Sequence, residues 1–237
     1  MTAAPKTTTE PASGKKPRIN QEIVLSTALA LVDAEGLDAL TMRRLGQELG
    51  RDPMGLYRYA ANRAALLDGV TELVLNEFGV VPDHPDWQVQ LRRIAHDLRL
   101  IALRHPNVVP LLVTRPLSTP LGLRPVGTLR PLEQILALLS GAGFAPADAL
   151  HVYRAYYGFL YGHILNELQE FIVDADENEA LLRLGLHRLP AKEFPQLRAL
   201  APFLADYDGE AELDEGITIL LAGLSTRLTN PKEPTQP

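Results

Sequence analysis

The sequence predicts an all-α chain. Apolar residues recur at the i, i+3, i+4 spacing of helices from about residue 20 almost to the end. Glycines, prolines and capping residues punctuate those stretches, and no segment shows the strict alternation of a half-buried strand.

Residues 1–17 are rich in Thr, Pro, Ala and Ser, poor in large apolar groups, and expected to be disordered. Lys15, Lys16 and Arg18 at the tail's end read as a solvating tip, or as an arm that reaches phosphate. The first helix places Ile23, Thr27, Ala30, Leu31 and Ala34 on one face and stops at Gly36. Leu37 and Leu40 plug the short connection. Thr41 is a good N-cap for a second helix that runs to about Leu49 and ends at Gly50. Asp52 offers the next cap, with Pro53 at the first helical position and MGLYRY over about two turns. Asn62 caps a fourth helix striped by Leu66, Val70, Leu73 and Val74.

VPDHPDW reads as a linker, and the domain boundary falls in or just before the fourth helix, giving a head at 18–66 and a body at 67–237. In the body, Leu91, Ile94, Leu98 and Ile101 mark one helix, Val108–Val113 a short one, and TRPLSTPLGLRP a stretch broken by prolines. Another helix runs to about Ser140. Pro146 and Asp148 open a long one expected to reach about Ile172. The acidic DADENE is expected to be a mobile loop, and HRLPAKEFP an irregular stretch. The last helix aligns Leu213, Ile217, Leu220, Leu221, Leu224 and Leu228 and ends before Asn230-Pro231.

Composition narrows the function. At 46% hydrophobic and 22% charged, the 237 residues hold ample apolar material for a core. No apolar run is long enough to span a bilayer and the first residues lack the apolar centre of a secretory signal, so no membrane partner is expected. Zero cysteines exclude disulfides, thiolate metal sites and cysteine nucleophiles, which fits a cytoplasmic protein. The net charge of −6 hides an asymmetry: residues 15–63 sum to +2 and residues 64–237 to −8. A mildly basic head on an acidic body can sit on phosphate while the body stays clear.

The stretch TMRRLGQELGRDPMGLYRYAANRAALL, residues 41–67, carries the function. Leu45, Leu49 and Leu56 are spaced to pack two short helices together, Gly46 admits a close crossing, and Gly50 suits a turn at positive φ. That is the spacing of a helix-turn-helix, with Met54, Gly55, Tyr57, Arg58 and Tyr59 outward on its second helix. The segment 18–67 resembles the DNA-binding domain of the tetracycline-repressor family, most specifically through GLYRY and AANRAALL.

The resemblance implies that Thr41 and Arg43 lie near backbone and groove edge. It places Pro53, Met54, Gly55, Tyr57, Arg58 and Tyr59 in the recognition helix, in the major groove. Tyr57 is similar to the family's phosphate-contacting tyrosine, with a core aromatic as the alternative, and Tyr59 is in part a packing residue. Arg58 either grips guanine O6 and N7 or makes a phosphate contact alone. Arg63, where the family usually has lysine, is expected to bind phosphate at the start of the fourth helix.

The body is similar to the C-terminal domain of the tetracycline repressors through LRHPNVVPLLVTRP, LLSGAGF and AYYGFLYGHILNE. The resemblance implies a homodimer closed by a four-helix bundle, and a ligand in each sensor core that shifts the two heads apart. The magnesium-binding pattern departs, however. Leu111 stands where those repressors have a histidine, although Thr114 keeps the threonine three residues on. Their drug-gripping asparagine and phenylalanine fall near Ile94 and Leu98, and a further histidine falls near Gly79. Apolar groups cannot hold a hydrated Mg²⁺, so tetracycline is rejected as inducer and no metal or cofactor is expected.

What remains suggests an apolar, aromatic-lined pocket for a moderately sized organic molecule, with Leu98, Leu111, Thr114, Tyr153, Tyr157, Tyr161, His163 and Asn166 as lining and Trp87 at the rim. Core filling is the alternative for each of these. His163 and Glu167 are spaced to share a metal but lack a third ligand. No HExxH, GxSxG, P-loop or glycine-rich dinucleotide fingerprint is present, so an enzyme is not expected. The reading is a ligand-responsive repressor on a palindromic operator; a helical adaptor that acts through protein partners is the alternative.

Overall fold

In the computed structural model, which describes residues 19–77, 79–114, 120–169, 173–174 and 176–229 except the side chains of Thr114 and Thr229, α1 (Gln21–Glu35) starts at Asn20. The Asn20 side-chain oxygen accepts from the Ile23 amide at 2.8 Å. Gly36, at φ +83°, ends the helix. The buried face is Val24, Ala28, Leu31 and Val32, one residue out of phase with the stripe expected from sequence, and Ile23, Ala30 and Ala34 face outward. Both stripes have helical spacing and share Leu31. The one built from larger aliphatic groups removes more apolar area from water and decides the phase.

A 3₁₀ turn (Leu37–Ala39) brings the fully buried Leu40 under α1. Next comes α2 (Met42–Glu48), capped by the Thr41 hydroxyl, which accepts from the Arg44 amide at 3.0 Å. Gly50 turns the chain at φ +60° into α3 (Pro53–Leu56), which Asp52 caps through the Met54 amide at 2.8 Å. The α-helical part of α3 is one turn rather than two, with Tyr57 to Tyr59 continuing as turn. Asn62 then caps α4 (Arg63–Leu75). Leu66, Val70 and Val74 are fully buried on α4, which packs against α1 on one side and against α6 and α7 on the other.

Among the described residues, the regular elements of the body are all helices. Its elements are α5 (Trp87–Arg104), α6 (Val109–Thr114), α7 (Val126–Gly141), α8 (Pro146–Leu168), α9 (Ala180–Arg183), α10 (Pro195–Ala199), α11 (Ala201–Ala205) and α12 (Gly209–Thr229). Further 3₁₀ turns span Pro106–Val108, Leu121–Leu123 and Leu186–Arg188. Asp86 caps α5, so the expected linker ends in a defined helix start. Leu91, Ile94, Leu98 and Ile101 are buried as their spacing requires. α8 ends at Leu168, short of the expected limit, and 170–172 lie outside the described residues. The stretch expected to be irregular holds the Leu186–Arg188 turn and leads into α10. Residues 1–17 and Asn230-Pro231 also lie outside the description.

α8 is the axis of the body, packed on α5, α7 and α12. Its fully buried Tyr156 donates a hydrogen bond to the Leu91 carbonyl at 2.8 Å. Arg99 of α5 and Glu167 of α8, with side chains 12% and 11% exposed, form a two-pronged ion pair at 2.6–3.1 Å. Carboxylate and guanidinium match in geometry, so the pair fixes the relative register of the two helices.

Gly46 marks a close crossing of α2 with the turn into α3. A Cβ there would lie 2.9 Å from the Arg51 carbonyl oxygen and 3.2 Å from the Pro53 ring. Gly46→Ala is expected to destabilise the head by about 1–3 kcal/mol. Urea denaturation followed by circular dichroism checks this, and an unchanged midpoint would show that the crossing relaxes without cost.

Candidate DNA interface and ligand cavity

The two short helices of the head are held by Leu45 and Leu56, both fully buried. With Leu56 turned inward, its neighbours on α3 turn outward. Met54 is 75% exposed, Tyr57 46% exposed, and Gly55 has open space where a Cβ would be. Arg58 is exposed beside them, its guanidinium carbon 4.7 Å from the Tyr59 ring centre. Arg43 is exposed on α2. The adjacent Arg44 turns the other way, bridging Glu35 at 2.6 Å and Glu48 at 2.8 Å. Arg44's hydrogen bond holds the Glu35 carboxyl below the usual carboxylate range. Arg44 is therefore a brace between α1 and α2, and Arg43 is the cation presented to solvent.

Three of the nine residues expected at DNA also do structural work. Thr41 is the α2 cap described above. The Tyr59 hydroxyl donates to the Ile19 carbonyl at 2.8 Å, so its ring is half-buried against the head's core rather than turned fully outward. Arg63 reaches back to the 3₁₀ turn, donating to the carbonyls of Leu40 at 2.8 Å and Leu37 at 2.6 Å. Pro53, at the start of α3, is half-buried against Gly46.

The body contains a cavity of about 720 Å³ between α4, α6, α7 and α8. Tyr153, Tyr157 and Tyr161 stand one turn apart on α8 and form one wall, with successive ring centres 4.8 and 5.3 Å apart. Leu111, Leu112 and Val113 of α6 line the cavity with Leu129 and Leu132 of α7. Asp68, Thr71 and Leu75 of α4 also face it, and Arg124 and Arg154 add positive charge. Gly158 and Gly162 leave open space where a Cβ would stand, which widens the cavity along α8.

Of the lining residues expected from sequence, Leu111, Tyr153, Tyr157 and Tyr161 are brought together here, while the Thr114 side chain lies outside the description. Leu98, His163, Asn166 and Trp87 do not line the cavity. Leu98 is core, and Trp87 packs edge-on against Phe144 at 5.1 Å. His163 stacks on Phe159 and lies 3.6 Å from Glu167, and Asn166 is exposed. On α8, positions 153, 157 and 161 share a face from which 163 and 166 are rotated away, so helical phase removes both. Glu167 is committed to Arg99, and among the described residues no cluster of three potential metal ligands forms. Leu150, Gly158 and Leu165 were readable by extending the tyrosine stripe. The α4 and α7 walls had no local signal.

Burial raises the phenol pKa of Tyr153, Tyr156, Tyr157 and Tyr161, most for Tyr156 and Tyr157. These phenols keep their protons when folded but lose them near pH ~10 when unfolded. Their contribution to stability is therefore complete below the unfolded value and is lost as pH rises above it. A spectrophotometric titration is expected to leave four of the seven tyrosines un-ionised until the protein unfolds. Ionisation of all seven in one reversible step in folded protein would show that these rings are solvated.

Two family descriptions match this architecture. Residues 24–70 match the tetR family of bacterial regulatory proteins, and residues 81–228 match the tetracyclin repressor-like C-terminal domain. A HTH-type transcriptional regulator of Saccharopolyspora erythraea is 30% identical over 240 residues, covering 95% of this chain and 98% of its own. The class D tetracycline repressor protein of Escherichia coli is 28% identical over 216 residues, covering 90% and 92%. ActR of Streptomyces coelicolor, solved in complex with actinorhodin, superposes with a TM-score of 0.70 at 30% identity, over 90% of this chain and 100% of that one. The chain belongs to the tetR family of bacterial regulatory proteins.

Proposed function

We propose that this chain is a cytoplasmic, homodimeric repressor, not an enzyme, which leaves a palindromic operator when a small hydrophobic or amphipathic molecule fills the cavity of the body. The observation that carries this reading is the double role of α4. One face is buried against α1, while Asp68, Thr71 and Leu75 line the cavity. A molecule that enters the cavity touches the helix on which the head is mounted.

Residues 18–66 act as the reader and 67–237 as the sensor and dimerisation unit. Met54, Gly55, Tyr57 and Arg58 meet the major groove, with Pro53 at the helix start and Tyr59 backing Arg58. Arg43 and Thr41 stand at the groove edge. Arg63 has five N–H donors and uses two on protein carbonyls, so the same side chain can brace the turn and meet a phosphate. A dimer places two such helices about one DNA turn apart (~34–36 Å), and spreading them loses register.

The ligand is bound without a metal. Leu111 supplies a hydrocarbon wall, and tyrosine rings with protonated hydroxyls suit a flat molecule with hydrogen-bond acceptors at its edge. ActR, similar to this chain along its length, is solved with actinorhodin, which supports an organic effector for the cavity. Thr114, at the end of α6, joins the cavity's edge in this reading.

Mobility shift on duplexes tiling the gene's own upstream region tests the reading. One tile is expected to shift tightly and to weaken steeply with salt as phosphate contacts release counterions. Arg58→Ala is expected to cost about 1–3 kcal/mol on that tile and to leave weak non-specific binding in place. Equal weak binding to every tile at physiological salt would favour the adaptor. Sedimentation at micromolar concentration is expected to give a dimer, and a monomer would overturn the two-headed mechanism.

A further inference from the structure

The head meets the body at a second place besides α4: the C-terminal end of α1. His105 follows α5, and its ring is only 12% exposed. Its Nδ1 lies 2.8 Å from the Asp33 carboxylate on α1, and its Nε2 lies 3.4 Å from the Glu77 carboxylate just past α4. Two residues on, the Asn107 amide donates to the carbonyls of Val32 at 3.0 Å and Asp33 at 3.1 Å, in the last turns of α1. The same short turn leads directly into α6, whose Leu111, Leu112 and Val113 form a cavity wall.

We propose that His105 and Asn107 are positioning residues for operator binding. They clasp α1 to the cavity wall, with the imidazole doubly protonated between Asp33 and Glu77. A neutral imidazole has one N–H, so its other nitrogen would turn a lone pair on a carboxylate; only the charged ring satisfies both sides. The charged groups at the ring are Asp33 from α1, Glu77 after α4 and Arg104 from α5, the last hydrogen-bonded to Glu77. Asn107, from the turn before α6, is neutral. The clasp gives the sensor a grip on α1 that does not pass through α4, and it makes the head's position dependent on a proton. Loss of either N–H turns a nitrogen lone pair on a carboxylate, and the clasp loosens.

This inference rests on the reading that the unliganded dimer binds operator, and one experiment separates the two. Operator affinity of the full chain is measured by fluorescence anisotropy from pH 6 to 8 at constant ionic strength, on the upstream tile that the wild type shifts. Wild-type affinity is expected to fall as pH rises across that range. His105→Gln is expected to bind more weakly than wild type at pH 6 and with a flat profile. Asn107→Ala is expected to be weaker throughout while keeping the wild-type slope. Asp33→Asn, close in shape to the native residue, is expected to flatten the profile too and decides the matter if the histidine variant does not fold. A specific shift whose affinity and pH slope are the same in wild type, His105→Gln and Asp33→Asn overturns the clasp and leaves the DNA reader standing. No specific shift by the wild type on any tile overturns both.

Discussion

The architecture depends on a helix that must satisfy two environments at once. α4 is thirteen residues long, and the stripe Leu66, Val70 and Val74 is withdrawn from water entirely. That stripe joins the head's core to the core of the body. Asp68, Thr71 and Leu75, on the face turned toward α6 and α7, also border the cavity. One face of the helix is thus fixed by hydrophobic burial, and another borders the cavity between it, α6 and α7.

In the head, two buried leucines set which side chains face outward. Leu45 and Leu56 lock α2 and α3, and their burial forces Met54, Gly55 and Tyr57 outward. Capping groups do the rest: Thr41, Asp52 and Asn62 each satisfy an amide at a helix start. The two consecutive arginines of α2 separate in function because they sit about 100° apart on the helix. Arg44 falls beside Glu35 and Glu48, while Arg43 faces solvent.

The body divides its polar groups between helix register and the cavity wall. Tyr156 and the Arg99–Glu167 pair hold α5 to α8 from inside the core. Tyr153, Tyr157 and Tyr161, on the adjoining face of α8, present their rings to the cavity. The four tyrosines between 153 and 161 thus fall into two environments set by a rotation of one residue along the helix. Burial keeps all four neutral, so the tyrosine wall adds no negative charge to the cavity.

By itself the sequence determined the helical class, most helix limits and the helix-turn-helix, because these rest on local rules. Capping oxygens, glycines at positive φ and apolar spacing act within a turn or two of chain. Gly36 and Gly50 stand where their backbone angles require them. Tertiary structure decided which of two overlapping stripes on α1 is buried, since that choice depends on the area covered by α4. It also decided the cavity's membership. His163 and Asn166 are close in sequence to Tyr161 but face elsewhere, while Asp68 and Thr71 arrive from a helix some eighty residues away. Arg63, Tyr59 and His105 found their partners, at Leu37 and Leu40, Ile19, and Asp33 and Glu77, across 23 to 72 residues of chain. No local pattern encodes such pairings, because they exist only once packed helices bring the groups together.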